Sequence, residues 1–336
     1  RYVKILIVGD AFVRQQHFAK RVSMLTGAGH EAEIIQWGPD DRGELEGVIR
    51  GMERGSIPDD ASLDTVKKRL EGKDALFVDF CPVPESMVKM VKLIGVSRTG
   101  VSNVALEAAR NFAIPVINIS GRNAVAVAEF TVAMMLAVSR NLAYAHHSLK
   151  LGQWKKDFSY EPVELETKQV GLIGFGEIGR LTAKKLSGFG CKIVYYDPYY
   201  TEHSDYAESA GFDEVIKNSD FVSVHVRLTE GTRGLIGRRE LGLMKSSAFL
   251  INTARAEIVD AASLLAALRE KKIRGAALDV FPEEPLTQDS EYLSLDNLVL
   301  TSHIAGSTPE ALEKSVDLLY GNFIDYQKGS RDHVVK

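Results

Sequence analysis

Apolar and polar positions alternate between two regimes along most of this chain. Short, mostly apolar runs fall at residues 5–8, 33–35, 76–80, 93–96 and 116–119. Runs of this length suit strands buried on both faces, as in a parallel sheet. Helical patterns lie between them, at 12–25, 63–70, 84–91 and 104–112. That alternation predicts a parallel α/β sheet of about five strands in flavodoxin-like order. Residues 38–60, rich in Gly, Asp, Glu and Arg, are the least periodic and are expected to form a mobile loop with a short helix.

Residues 121–144 read as one long helix that is apolar on more than one face, and so is expected to be buried between domains or subunits. The stretch 149–167 is irregular and carries Trp154, Phe158 and Tyr160, which suits an arm crossing to a partner chain. A second α/β series then runs through strands near 170–173, 192–196, 221–225, 248–252, 275–279 and 298–301. Six parallel strands match two mononucleotide-binding halves. Ser307-Thr308-Pro309-Glu310 is a helix start, and the helix 309–327 is expected to return and cover the first domain.

The second series opens on Gly174-Phe175-Gly176-Glu177-Ile178-Gly179, set between a buried strand and a helix. Gly174 permits the tight turn, Gly176 lets a pyrophosphate approach the backbone, and Gly179 lets the helix pack closely. The helix start offers free N–H groups and the positive end of its dipole. Asp197, eighteen residues past Gly179 at the end of the next strand, is placed to accept from a ribose 2′-hydroxyl. It would repel a 2′-phosphate, so the pattern favours NAD and disfavours NADP.

Composition narrows the picture further. With 336 residues, two domains are the natural expectation. A net charge of −4 leaves no electrostatic footprint for nucleic acid or an anionic membrane. Cys81 and Cys191 lie far apart, with no metal-ligand spacing, and fit a reducing, cytoplasmic setting. The apolar stretch 124–138 is interrupted by Glu129 and is too short to span a bilayer. Because the chain opens directly on a strand-like YVKILIVGD, no signal peptide is expected.

Three polar residues follow strand ends, where ligands of such sheets bind. Arg255 follows Asn252-Thr253-Ala254, Glu284 stands just before Pro285, and His303 follows the last strand. Hydride chemistry on a hydroxy acid needs a base for the hydroxyl proton and a cation for the carboxylate. Histidine, here His303, is the residue type suited to proton exchange near neutral pH, a buried Glu284 would favour its imidazolium, and Arg255 can grip a carboxylate bidentately.

GFGEIG, the distal Asp197, NTAR, LDVFPEEP and TSHIAG, in that order, resemble the D-isomer-specific 2-hydroxyacid dehydrogenases, within them a phosphoglycerate-dehydrogenase-like subgroup that GRNAVAVAEFT also resembles. The resemblance implies two parallel-sheet domains. One is a discontinuous substrate domain, residues 1–120 with 305–336; the other is a Rossmann NAD-binding domain, residues 121–304. A hinge and active-site cleft would lie between them, closing on NAD. It implies the catalytic set Arg255, Glu284 and His303, and a homodimer built around the 121–144 helix. Cofactor contacts would come from Gly174, Gly176, Glu177, Ile178, Gly179, Asp197, His225, Arg227, Thr232, Thr253, Ala254, Asp279, His303 and Gly306. The segment 95–103, GVSRTGVSN, resembles the family's substrate loop, in which the N–H groups of Thr99 and Gly100 receive a carboxylate. Arg98 adds a cation there, and Arg255 and His303 complete the substrate contacts.

The pattern departs from the family at Arg227, where Pro is usual, at Ala256, where Gly is frequent, and at Ala105 in place of Asp. The chain is expected to end near the close of the catalytic unit, without a C-terminal regulatory domain. Glu284, where formate dehydrogenases carry Gln, disfavours that reaction. The expected activity is NAD-dependent interconversion of a small 2-oxo acid and a D-2-hydroxy acid. The alternatives are an NAD(H)-sensing co-repressor on the same fold and a phosphite-type dehydrogenase.

Overall fold

A computed structural model describes residues 2–335. Its chain divides into two units, Arg1–Arg122 with Thr308–Lys336, and Asn123–Ser307. In the first unit the apolar runs form β1 (Lys4–Gly9), β2 (Glu31–Gln36), β3 (Ala75–Val78), β4 (Leu93–Val96) and β5 (Val116–Ile117). They pair in parallel in the order β2-β1-β3-β4-β5. Alternation along each strand divides the core: Leu6 and Val8 of β1 with Leu76 and Val78 of β3 face one layer. Ile5, Ile7, Ala75 and Phe77 face the other, together with Phe18, Leu319, Tyr320 and Phe323.

The last three names show why the unit is discontinuous in sequence. The helix Pro309–Gln327 has Thr308 as its N-cap, accepting from Ala311 N at 3.1 Å, and Pro309 in its first turn. It lays Leu319, Tyr320 and Phe323, each fully buried, onto the first sheet. Phe323 meets Phe77 edge-on at 5.2 Å. Gly95 in β4 keeps that contact close, since a Cβ there would sit 2.7 Å from Phe77.

The second unit holds β6 (Gln169–Ile173), β7 (Lys192–Tyr196), β8 (Glu208–Ser209), β9 (Phe221–Val224), β10 (Phe249–Asn252), β11 (Gly275–Leu278) and β12 (Leu298–Leu300). They pair in parallel in the order β12-β11-β10-β9-β6-β7-β8. The seventh strand, β8, was not expected; at two exposed residues it carries no periodicity to read.

Three sequence expectations need correction. The helix expected within residues 38–60 is longer than a short turn: Arg42–Glu53, twelve residues, with Asp41 as N-cap and Leu45, Ile49 and Met52 buried. Spacing by three and four was present there but masked by the surrounding charge. The helix expected over 121–144 is two, Ala124–Ser139 and Leu142–Lys150, bent by 68°. Asn141 breaks it in the left-handed region at φ 53°, which Asn tolerates better than most residues. The first of the pair is buried within its own unit: Val132, Met135 and Val138 join Phe175, Leu186 and Phe249 in one core. In the stretch 149–167, Tyr160 is tied into its own unit. It donates to Val138 O at 2.6 Å and packs edge-on against Phe249 at 5.4 Å. Among the described residues no single helix is long and apolar enough to cross a membrane.

Phe323→Ala should destabilise the first unit by about 3–5 kcal/mol, the usual cost of emptying an aromatic core position. Urea unfolding followed by Trp37 fluorescence, with Trp154 replaced by Phe, would register it. An unchanged midpoint would remove the C-terminal helix from that core.

Candidate active site

One level of the second sheet organises the chemistry. Tyr196, Ile173, Val224, Asn252, Leu278 and Leu300 stand side by side across β7, β6, β9, β10, β11 and β12. Each strand ends there, and the next residues supply Asp197, Gly174, His225, Thr253, Asp279 and, three further on, His303. Parallel register thus brings residues more than a hundred positions apart to the carboxyl edge of one sheet.

The glycine loop has one face closed and one open. Gly174 lies at φ 99°, and a Cβ on it would approach His225 C to 2.8 Å. A Cβ on Gly179 would come within 2.4 Å of Gly174 O. At Gly176 a Cβ would meet nothing within 4 Å, so the loop's outer side is open where a pyrophosphate would lie. Gly176 is the N-cap of the helix Glu177–Leu186 and supplies no side-chain cap, leaving first-turn N–H groups for an anion. Glu177 is exposed and Ile178 half-buried there. Asp197 Oδ2 accepts from Phe175 N at 2.7 Å and Oδ1 from Tyr199 N at 2.8 Å. The acidic residue is therefore fastened to the glycine loop itself. These residues fit a dinucleotide.

Further along the edge, His225 Nε2 pairs with Ser223 Oγ at 2.9 Å, and burial lowers its pKa to about 4. Arg227 is exposed, and its carbonyl accepts from Thr232 Oγ1 at 2.6 Å. Thr232 also accepts from Thr229 N at 2.8 Å, so its hydroxyl closes the loop from 227 to 232. Thr253 is buried with its hydroxyl 2.8 Å from that of Thr131. Asn252 accepts from Ala254 N at 3.0 Å and donates to Arg255 O at 3.0 Å, fixing the turn that carries Arg255. Arg255 is exposed, and Nη1 bonds its own neighbour's carbonyl, Ala254 O, at 2.7 Å.

His303 and Glu284 meet directly, His303 Nδ1 to Glu284 Oε2 at 2.8 Å. A carboxylate only accepts, so Nδ1 carries the proton and Nε2 is left for another partner. Glu284 is in turn held by Phe281 N, which donates to Oε1 at 2.9 Å. The pair is not buried as expected: the side chains are 48% and 37% exposed. Orientation here comes from hydrogen bonds, not from enclosure. His303 sits at φ 55°, a strained region for a ring-bearing residue.

Asp279 explains how that backbone is held. Wholly buried, it accepts at Oδ1 from Thr301 Oγ1 (2.6 Å) and Ile304 N (2.9 Å), and at Oδ2 from Ala305 N (2.8 Å). Both oxygens thus serve the His303 loop. Gly306 closes the loop, where a Cβ would be 2.4 Å from Asn123 Nδ2.

The substrate loop belongs to the first unit. Thr99 and Gly100 are exposed, and among the described residues no acceptor meets either N–H. Arg98, expected as a further cation of that loop, is buried, with its guanidinium 4.0 Å from the ring centre of Phe80.

Comparison with known proteins agrees with this geometry. The family model for the D-isomer specific 2-hydroxyacid dehydrogenase, NAD binding domain, matches residues 132–305. Over 246 residues, 71% of this chain, it is 42% identical to a putative 2-hydroxyacid dehydrogenase, YoaD, of Bacillus subtilis, covering 70% of that protein. It is also 42% identical over 227 residues to D-3-phosphoglycerate dehydrogenase of Methanocaldococcus jannaschii, covering 66% of this chain but 43% of that protein. The NAD-complexed D-isomer specific 2-hydroxyacid dehydrogenase of Lactobacillus delbrueckii ssp. bulgaricus superposes with TM-score 0.77 at 25% identity, over 99% of this chain and 100% of that one. The chain belongs to the D-isomer specific 2-hydroxyacid dehydrogenase family, a class of NAD-binding oxidoreductases.

The low pKa of His225 has a consequence for stability. Between about pH 6.5 and 4 the unfolded chain binds a proton at this histidine that the folded one refuses, so stability falls as pH drops through that window. The full shift corresponds to an upper bound on the order of 3 kcal/mol. His225→Gln should therefore lose less melting temperature than the wild type between pH 6.5 and 4. Parallel pH curves for the two proteins would contradict this.

Proposed function

We propose that this protein is an NAD-dependent dehydrogenase that interconverts a small 2-oxo acid and its D-2-hydroxy acid. The observation that carries this reading is the His303–Glu284 pair, held at 2.8 Å on the same strand-end level as the glycine loop. The cofactor would be held by Gly174, Gly176 and Gly179 with the first turn of the following helix, by Asp197 at its ribose, and by the turns at His225–Arg227 and Thr253–Ala254. When bound as NADH, it supplies a hydride to the carbonyl carbon of the 2-oxo acid. His303, doubly protonated, gives the proton at Nε2 to the carbonyl oxygen, and Glu284 steadies the imidazolium through Nδ1. In the reverse direction neutral His303 removes the hydroxyl proton at the same atom. Arg255 receives the carboxylate. Asp197 disfavours a 2′-phosphate by like charge, so NADH is the expected reductant and NADPH a poor one. The unpaired Cys81 and Cys191 suit a reducing cytoplasm.

The natural form on this reading is a homodimer. Leu142, Leu149, Leu151 and Trp154, the last 80% exposed, form an apolar stretch that a second copy of the chain would cover.

Two measurements test these assignments. Oxidation of NADH, then NADPH, would be followed against glyoxylate, hydroxypyruvate, pyruvate and phosphohydroxypyruvate. His303→Ala should lower turnover roughly 10²–10⁴-fold, the scale of a general acid–base group. Near-wild-type turnover in that variant would end the assignment. In sedimentation equilibrium the wild type should be dimeric and Leu149→Glu/Trp154→Glu monomeric. A dimer in both would place the interface elsewhere.

A further inference from the structure

A cavity of about 320 Å³ opens in the second unit, lined by none of the residues that the proposed chemistry uses. Its floor is apolar. Ala261 and Leu265, four residues apart and so on one face of the helix Ala261–Arg269, supply part of it; Leu286 and Tyr292, from the loop after β11, supply the rest. Leu265, Leu286 and Tyr292 share a packed core with Phe281, and the Tyr292 ring meets Phe281 edge-on at 5.6 Å. That contact fixes the ring, and only 8% of Tyr292 remains exposed. Its hydroxyl has no hydrogen-bond partner among the described residues, and the space that Tyr292 borders is this cavity. A polar group so placed loses hydration without repayment unless something else meets it.

The remaining walls are acidic. Glu283, Asp289 and Glu291 line the cavity, and among the described residues a single cation, Arg269, pairs with any of them, at Glu291. A hydrogen bond from Thr287 holds the Asp289 carboxyl below its ordinary pKa, so it is ionised. The negative field reaches the phenol: burial, then the charges of Asp260 and Glu291, push the Tyr292 hydroxyl up, and it stays protonated. Asp260 is itself occupied as the N-cap of the helix, accepting from Ser263 N at 2.8 Å. An apolar recess ringed by negative charge favours a cation. The kind of cation follows from the placement of the acceptors. Among the described residues no three acidic or other ligating side chains lie close enough together to hold a metal ion. Carboxylates spread around an apolar floor suit instead a cation with its own apolar body and its own N–H donors. A primary ammonium group has three such donors for the carboxylates and the Tyr292 oxygen, and its charge is attracted to an aromatic face.

We propose that this cavity is a binding site for a small organic ammonium ion, its apolar body on Ala261, Leu265 and Leu286 and its ammonium group between the Tyr292 hydroxyl and the carboxylates of Glu283 and Asp289. At about 320 Å³ it lies at the small end of ligand sites, which suits an amine with a single ring and excludes a dinucleotide. The site stands apart from the dehydrogenase reading, because none of these residues takes part in the hydride or proton transfer described above.

The test is titration of benzylammonium into the full chain at neutral pH, followed by backbone amide shifts in NMR spectra. Benzyl alcohol and benzoate serve as neutral and anionic probes of the same size. Saturable shifts are expected at residues 261–265 and 286–292. Benzylammonium should bind about tenfold more tightly than benzyl alcohol, with benzoate the weakest. Tyr292→Phe, which keeps the ring and removes the hydroxyl, should weaken benzylammonium about fivefold. Glu283→Gln/Asp289→Asn should weaken it about fivefold as well and leave benzyl alcohol unchanged. Should Tyr292→Phe fail to fold, the double variant carries the test, since Glu283 and Asp289 are both exposed. Absence of saturable shifts in the wild type, shifts confined to other surfaces, equal affinity for the amine and the alcohol, or an unchanged affinity in the double variant would each overturn the proposal. Oxidation of NADH judges the dehydrogenase reading separately, since amine binding needs no chemistry.

Discussion

The carboxylate of Asp279 is the constraint on which the His303 loop depends. It lies one residue beyond β11 and takes two backbone N–H groups and one hydroxyl from the loop after β12. Hydrogen bonds to a charged acceptor are each worth about 1.5–3 kcal/mol, enough to hold His303 at its positive φ. Only in that conformation does the ring present Nδ1 to Glu284 while the chain turns back toward Gly306. Without the Asp279 clamp the loop would lose its reason to be strained, and His303 its direction.

The same device recurs across the molecule. Asp197 follows β7 and accepts from the glycine loop of the neighbouring strand. Asp10 follows β1 and accepts from the loop after β3. In each case a carboxylate just past a strand end reaches sideways to the adjacent strand's loop. A parallel sheet makes this economical, because all its strands end on one edge and neighbouring loops start a few ångströms apart. The pattern gives flexible loops the precision of the sheet, which is what a reaction between two bound molecules requires.

This explains what was legible in the sequence and what was not. Strand positions were legible because buried parallel strands are continuous apolar runs, and most observed strands begin and end within two residues of theirs. The glycine loop was legible because its steric demands, closed at Gly174 and Gly179 and open at Gly176, leave few residue choices. The helix Arg42–Glu53 was hidden because its three buried residues are outnumbered by charge. The break at Asn141 was hidden because an apolar pattern continues through it. The task of Asp279 was invisible for a deeper reason: an aspartate after a strand reads alike whether it faces a ribose or a loop. Only the partner strand, far away in sequence, decides.

Arg98 shows how that same blindness can mislead about chemistry. As a cation in a substrate loop it reads as an exposed hand for an anion, yet it is buried and spoken for on three sides. The two buried aspartates near it differ in a way that fits this arrangement. Asp79 faces two guanidinium groups, whereas Asp10 has only backbone N–H groups, and burial with the nearby Asp79 charge raises its pKa to about 7. A group raised in this way prefers its proton in the folded state, so the stability it confers is lost as pH rises through about 7. Burial thus pushes both carboxyls above their ordinary range; the guanidinium groups of Arg122 and Arg98 oppose that rise at Asp79, and only backbone amides oppose it at Asp10. Two full charges buried side by side would cost more than those amides return.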